Sequence, residues 1–260
     1  MFRVVIPARY GSARLPGKPL LLLAGRPLLQ WVHERACASA AASVVIATDD
    51  ERIADAARQF GAQVAMTAST HESGTDRIAE VARTAGWQSQ DIVVNLQGDE
   101  PLMPQELLDQ VAALLARHAT ADVATLATPI HELDAHLDPN TVKVVTDLAG
   151  RALYFSRAPI PWTRDGAAGS LASQRQYSGA RRHIGVYAYR VAALQRLAGL
   201  PPSPLEQLEK LEQLRVLEHG MEIRVADALV APGPDVNTAE DLARVDALLE
   251  ARRQGAGASA

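Results

Sequence analysis

Short runs rich in β-branched apolar residues alternate, along the first half of the chain, with segments whose apolar positions recur every three or four residues. Arg3 to Ile6, Ser43 to Thr48, Ala62 to Met66, Asp91 to Leu96 and Val123 to Thr128 are predicted strands. Helices are predicted near Leu28 to Ala40, Glu51 to Phe60 and Asp76 to Ala85. The clearest is Pro104 to His118, where Leu107, Leu108, Val111, Leu114 and Leu115 make one apolar face behind a proline start. Strand, helix, strand in this order implies parallel pairing through right-handed crossovers, hence a three-layer α/β fold around a mainly parallel sheet. Ligands of such sheets lie beyond the carboxyl ends of the strands, so the loops after Ile6, Thr48, Met66 and Leu96 are where chemistry is expected.

The rhythm changes after about Pro129. Lys143 to Thr146 and Leu153 to Ser156 flank the turn Asp147-Leu148-Ala149-Gly150 and read as a β-hairpin. Gly166 to Ser173 reads as a mobile loop. His183 to Tyr189 is a predicted strand, Leu205 to Leu217 a helix, Glu222 to Val230 a strand and Thr238 to Arg252 a closing helix. The leucines at 205, 208, 211, 214 and 217 suggest a core or dimer face. The expected organisation is one domain over residues 1–252, followed by a flexible tail over 253–260.

A length of 260 residues suffices for one such domain with a smaller lobe. Aromatic residues make up only 4% against 48% hydrophobic, so the core is expected to be built from Ala, Leu, Val and Ile. The net charge of -4 gives no general field to attract nucleic acid or an anionic membrane, and an anionic ligand must meet a local cluster of cations. Cys37 is the only cysteine, which excludes an intrachain disulfide and suits a reducing compartment. The opening apolar run, Val4 to Ile6, stops at Pro7, too short for a signal peptide or a membrane span; the expected location is cytoplasmic.

That local cluster follows the first strand. Pro7-Ala8-Arg9-Tyr10-Gly11-Ser12-Ala13-Arg14-Leu15-Pro16-Gly17-Lys18 sets Arg9, Arg14 and Lys18 among two glycines. Glycines let backbone N–H groups approach phosphate oxygens, and the cations add charge-assisted bonds. It is neither a Walker A loop nor a dinucleotide fingerprint, because the glycine spacings of both are missing. Val94-Asn95-Leu96-Gln97-Gly98-Asp99-Glu100-Pro101 ends a second strand with two carboxylates, hard oxygen ligands suited to a magnesium ion shared with phosphates. Of the two, Glu100 reads as structural. Asp50, after Thr48 and Asp49, reads as the N-cap of the next helix.

The opening loop resembles the P-A-R-x-x-S-x-R-L-P-G-K signature of the CMP-Kdo synthetases and closely related cytidylyltransferases that activate acidic sugars. His71-Glu72-Ser73-Gly74-Thr75-Asp76-Arg77, Tyr154-Phe155-Ser156-Arg157 through Trp162 and Arg164, His183-Ile184-Gly185-Val186-Tyr187, and Pro204-Leu205-Glu206 through Glu212-Gln213-Leu214-Arg215 are similar to further motifs of that family, in family order. The resemblance, from about Arg3 to Val245, implies a nucleotide-diphospho-sugar-transferase-like (Rossmann-like) fold. In it, residues from about 130 to 222 supply a β-rich sugar-binding and dimerisation lobe.

The implied activity transfers CMP from CTP to 3-deoxy-D-manno-octulosonate (Kdo), releasing pyrophosphate, with Mg2+ as cofactor and a homodimer as the working unit. Related acceptors, 8-amino-Kdo or a sialic acid, and a non-catalytic nucleotide-binding regulator are the alternatives. Carried over residue by residue, Arg9, Ser12, Arg14, Lys18, Ser73, Gly74, Thr75, Arg77 and Gln97 would hold the nucleotide. Arg9, Arg14, Lys18 and Asp99 would carry catalysis. Gln97, Arg157, Arg164, His183, Tyr187, Glu212 and Gln213 would hold the sugar acid, with Arg157 and Arg164 on its carboxylate.

Asp99 matches one metal position of the family. The other falls on Asn237 in Asp235-Val236-Asn237-Thr238, where the family has Asp. The Asn237 amide oxygen can still bind magnesium, and Asp235, two residues earlier on the same side of an extended segment at about 6.5 to 7 Å, is expected to replace part of the missing charge, directly or through a water held by Asn237. Alternatively, Asn237 or Thr238 caps the last helix.

Overall fold

The computed structural model describes residues 1–11, 15–166 and 173–257. Its centre is a nine-stranded sheet. Along the main path lie β11 (Ile223–Asp227), β7 (Val123–Pro129), β10 (Arg181–Arg190), β6 (Ile92–Asn95), β1 (Phe2–Pro7), β4 (Val44–Thr48) and β5 (Gln63–Met66), in that order. A hairpin of β8 (Lys143–Thr146) and β9 (Ala152–Ser156) attaches to β10 through β8. β1 pairs in parallel with both β4 and β6, β4 with β5, and β11 with β7, whereas β10 runs antiparallel to β6, β7 and β8. A two-stranded ribbon, β2 (Leu22–Leu23) with β3 (Arg26–Pro27), lies apart from the sheet.

The helices cover the two faces, and their burial follows the apolar spacing. α1 (Leu28–Cys37) buries Leu28, Leu29, Trp31 and Val32. α4 (Gln105–Arg117) buries all five apolar residues read from its stripe; a Leu or Val side chain so covered stabilises the fold by about 1.5–3 kcal/mol. α2 (Glu51–Gln59) starts at Asp50, whose carboxylate accepts from Arg52 N at 3.0 Å, the expected cap. α3 (Gly74–Thr84) follows β5 and packs against α6 (Val191–Ala198), and a short α5 (Leu133–Leu137) follows β7. Two separate sets of buried apolar side chains form the cores, one centred on α1 and α4 and the other on α3 and α6.

The chain departs from expectation in three places. The strand expected to reach Val230 stops at Asp227, because the Leu229 N–H is taken by Gln110 Oε1 of α4 instead of a strand neighbour. The helix expected over Leu205 to Leu217 is two helices, α7 (Pro204–Glu209) and α8 (Gln213–Glu218), broken where Lys210 turns left-handed at φ 54°. Of its leucines only Leu208 is exposed; Leu211 and Leu214 are buried in the α3 and α6 core, with Leu205 and Leu217 packed against it. Finally, α9 (Ala239–Gly257) continues past the expected Arg252. Most of the loop expected over Gly166 to Ser173 lies outside the described residues.

Candidate active site

The carboxyl ends of β1, β4 and β6 open on one edge of the sheet, as parallel pairing requires. After β1 the chain loops out and returns at Gly17, whose N–H donates to Tyr10 O at 3.1 Å with φ +67°. That conformation strains any residue with a Cβ. Lys18 then opens a 3-10 turn (Lys18–Leu20) with Pro19 buried, which fixes the start of its side chain. Its Nζ donates to Asp99 Oδ2 at 2.8 Å and to the Val236 carbonyl at 2.9 Å. Arg9 is exposed at the rim. Ser12 and Arg14 lie outside the described residues.

Beyond β6, Gly98 presses against the first strand: a Cβ there would stand 3.1 Å from Pro7 O. The turn at that glycine presents Asp99 and Glu100. Val236 N donates to Asp99 O at 2.9 Å and Val236 is fully buried, so the 235–237 segment is laid alongside the carboxylate turn. Asp235 lines the cleft with Asp99.

Asn237 itself does not line the cleft; its Nδ2 donates to Asp235 Oδ2 at 2.6 Å, so the amide orients Asp235. Thr238 N and Asn237 N both donate to Asp241 Oδ2, and Asp241 N to Thr238 Oγ1, which caps α9 at the same time. Among the described residues no group of three His, Cys, Asp or Glu closes a metal cage. Two carboxylates facing one cleft are nonetheless the hard oxygen donors a divalent cation shares with phosphates.

Glu100, read from the sequence as structural, reaches into the same cleft. Its Oε2 is buried with no hydrogen-bond partner. Burial first, then the charges of Asp99 and Asp235, push the carboxyl up to about 8, against the opposing pull of Arg182.

The cleft is a cavity of about 410 Å³ walled on its far side by β10. Tyr187 stands opposite Asn95 across β10 and β6, and a bulge between Ile184 and Tyr187 turns several β10 residues toward the cavity. The Thr125 hydroxyl, on β7, lies 3.0 and 2.8 Å from the Ile184 and Val186 carbonyls and 2.9 Å from His183 Nε2. With its proton given to a carbonyl, Thr125 accepts from Nε2–H, which assigns the neutral tautomer of His183 and leaves Nδ1 as an acceptor. Burial, then Arg182, bring the His183 imidazole down to about 3, and burial first raises the Tyr187 phenol well above its usual range. Both are neutral hydrogen-bonding groups.

The break at Lys210 brings Glu212 and Gln213 to this wall. Burial raises the Glu212 carboxyl, and its Oε1 has no partner.

A second cavity of about 350 Å³ is lined by Pro7, Ala8, Arg9, His71, Ser73, Gly74, Thr75 and Arg77, and it shares Gln97, Asn95, Thr75 and Glu212 with the first. The motif from His71 to Arg77 thus lines a cavity beside the end of β1. Ser73 is at once the N-cap of α3, in a reciprocal box with Asp76. Arg77 is buried, pairing with Asp49 Oδ2 at 3.2 Å and donating to Thr67 Oγ1. His71 Nε2 meets Glu80 Oε2 at 2.5 Å.

Two expected sugar ligands stand elsewhere. Arg157 spends Nε on Glu209 O at 2.6 Å and Nη1 on Pro139 O at 2.9 Å, and Arg164 sits exposed on a 3-10 turn (Arg164–Gly166). Neither lines the cavities. The arginine that lines the larger cavity is Arg182, missed although it adjoins His183. Glu206 and Arg215, within the matched motif, form a bidentate pair at 2.7 and 2.5 Å that ties α7 to α8.

The site combines a cationic loop, paired carboxylates and a deep polar pocket, which suits a polyphosphate beside a hydroxylated ligand. The cytidylyltransferase family profile matches residues 3–223. The 3-deoxy-manno-octulosonate cytidylyltransferase of Thioalkalivibrio sulfidiphilus is 56% identical over 250 residues, covering 96% of this chain and 99% of its own. That of Pseudomonas fluorescens is likewise 56% identical, covering 96% and 98%. A solved CMP:2-keto-3-deoxy-manno-octonic acid synthetase complexed with CTP superposes with a TM-score of 0.86 at 42% identity, covering 97% of this chain and all of the other. A cytidylyltransferase structure from Leptospira borgpetersenii, 19% identical with a TM-score of 0.58 over 92% and 82% of the two chains, shares the fold. With a full-length match in sequence and in structure, this chain belongs to the cytidylyltransferase family.

Proposed function

We propose that the protein transfers CMP from CTP to Kdo, forming CMP-Kdo and pyrophosphate and so activating the sugar for lipopolysaccharide biosynthesis. The observation that carries this reading is the junction at Gln97, where a cavity behind the cationic loop meets one behind the carboxylates. One substrate placed in each brings the reacting atoms together.

In this reading the nucleotide lies over Arg9, Ser73, Gly74 and Thr75, with Lys18 on its phosphates. Ser12, Arg14 and the buried Arg77 belong to the same set. The sugar acid occupies the larger cavity, where neutral His183 and Tyr187, Glu212 and Gln213 bond its hydroxyls and Arg182 faces its carboxylate. The anomeric oxygen attacks the α-phosphorus, the bond to the β-phosphate oxygen breaks, and the hydroxyl proton is lost as pyrophosphate leaves. Lys18 and Arg9 neutralise the departing charge; positioning and electrostatics supply the catalysis.

Asp99 and Asp235 would hold Mg2+, with Asn237 fixing the rotamer of Asp235. The ion would supply charge neutralisation at the phosphates.

Among the described residues no helix is long and apolar enough to cross a membrane, and we place the reaction in the cytoplasm. The working unit is a homodimer, supported by exposed Leu153 and Leu208 on elements joined by the Ser156–Glu209 bond. Pyrophosphate release measured with CTP, Mg2+ and a panel of Kdo, 8-amino-Kdo and a sialic acid tests the assignment. Kdo should give the highest turnover; release with none of the three, or preference for a sialic acid, contradicts it.

A further inference from the structure

The two ends of the loop that delivers Lys18 are held by groups from separate parts of the chain, none of which lines either cavity. At the centre is the Tyr10 ring. The Arg52 guanidinium stacks on it, Cζ 3.3 Å from the ring centroid. Gly17 packs against the same ring so closely that a Cβ would lie 3.2 Å from Tyr10 Cε2, Cζ and Oη. The backbone bond from Gly17 N to Tyr10 O, 3.1 Å, closes the loop at that point.

Arg52 is itself locked. Its Nε and Nη2 form a fork with Asp50, at 2.9 Å to Oδ1 and 2.6 Å to Oδ2, and the same carboxylate caps α2 through Arg52 N. The chain of contacts therefore runs from the carboxyl end of β4, through Asp50 and Arg52, to Tyr10 and Gly17, and Lys18 is the next residue. The loop signature leaves position 10 open, so no motif assigned this tyrosine a task. An Arg plane on an aromatic face is a directional contact, and more so when the arginine is already oriented by a carboxylate.

We infer that Tyr10 and Arg52 are positioning residues for nucleotide binding: their stack sets the left-handed turn at Gly17 and thereby the place of the Lys18 ammonium at the triphosphate. The inference rests on the proposed use of this cleft for CTP. Without the stack the Gly17 turn loses its side-chain support beside the Gly17–Tyr10 backbone bond, and part of the ordering cost moves to the binding step.

Steady-state kinetics with CTP and Kdo test it, alongside melting temperatures. Tyr10→Leu should raise the KM for CTP roughly five- to tenfold while the KM for Kdo stays within about twofold, and Tyr10→Phe, which keeps the aromatic face, should restore the wild-type value. Arg52→Ala, at a position 60% exposed in its side chain, should raise the CTP KM about three- to fivefold with little change in melting temperature. A CTP KM within about twofold of wild type in Arg52→Ala, or equal rises for both substrates, overturns the inference, and Arg52→Ala decides it should Tyr10→Leu not fold. Wild-type turnover reports on the proposed activity; the ratio of variant to wild type reports on the stack.

Discussion

Lys18 and Asp99 form a partly buried ion pair, 16% and 27% exposed in their side chains, between the proposed phosphate-binding cation and the proposed metal ligand. Each fixes the other's position while leaving remaining lone pairs and protons for ligands. Asp99→Asn keeps the shape and removes the charge. It should lower CMP-Kdo formation by roughly a thousandfold or more, while the melting temperature moves little, since a partly exposed pair contributes modestly to stability. Near-normal turnover in this variant would remove Asp99 as a metal ligand. Asp99 was legible in the sequence because a strand visibly stops at a glycine just before it. Glu100 was not: that the second of two adjacent carboxylates also turns into the cleft depends on how Gly98 seats against Pro7, a contact between distant segments. Arg182 was hidden for a similar reason, since the bulge in β10 breaks the alternation from which a strand's facing residues are read.

Among the elements, the break between α7 and α8 has the largest consequence for the site. Periodicity in leucine predicts one continuous helix, and the Lys210 left-handed turn overrides it because burial of Leu211 and Leu214 and the Glu206–Arg215 pair outweigh a local conformational cost of about 1–2 kcal/mol. The reward is that Glu212 and Gln213 line the larger cavity, the proposed sugar pocket. Lys210→Gly should therefore stabilise the protein by roughly 0.5 kcal/mol, the left-handed relief being offset in part by glycine's greater unfolded-state freedom. Lys210→Val should cost about 1–2 kcal/mol and raise the Kdo KM without affecting that for CTP. Thermal denaturation and the two KM values check both; a Val variant as stable as wild type would show the turn to be unstrained. The capped helices α2 and α9, by contrast, begin where Asp50 and Thr238 stand, because a cap is a local signal, whereas α3 starts at Ser73, ahead of the expected Asp76.

Over the whole molecule, the alternation of strands and helices was enough to expect a mainly parallel sheet, but not where β10 belongs. Strand order is decided by long-range pairing, and β10 enters antiparallel between β6 and β7. That insertion makes the cleft, because it carries the wall of Arg182, His183 and Tyr187 from the second half of the chain up to the carboxylate turn of the first. A net charge of -4 leaves anion binding to the local cations at the opening loop, on one side of that cleft. A crystal structure with CTP and Mg2+ tests this convergence most directly. The account predicts the triphosphate against Lys18, with the ion between a phosphate oxygen and Asp99 and Asp235; a nucleotide bound elsewhere, with Lys18 and Arg14 turned away from it, would contradict it.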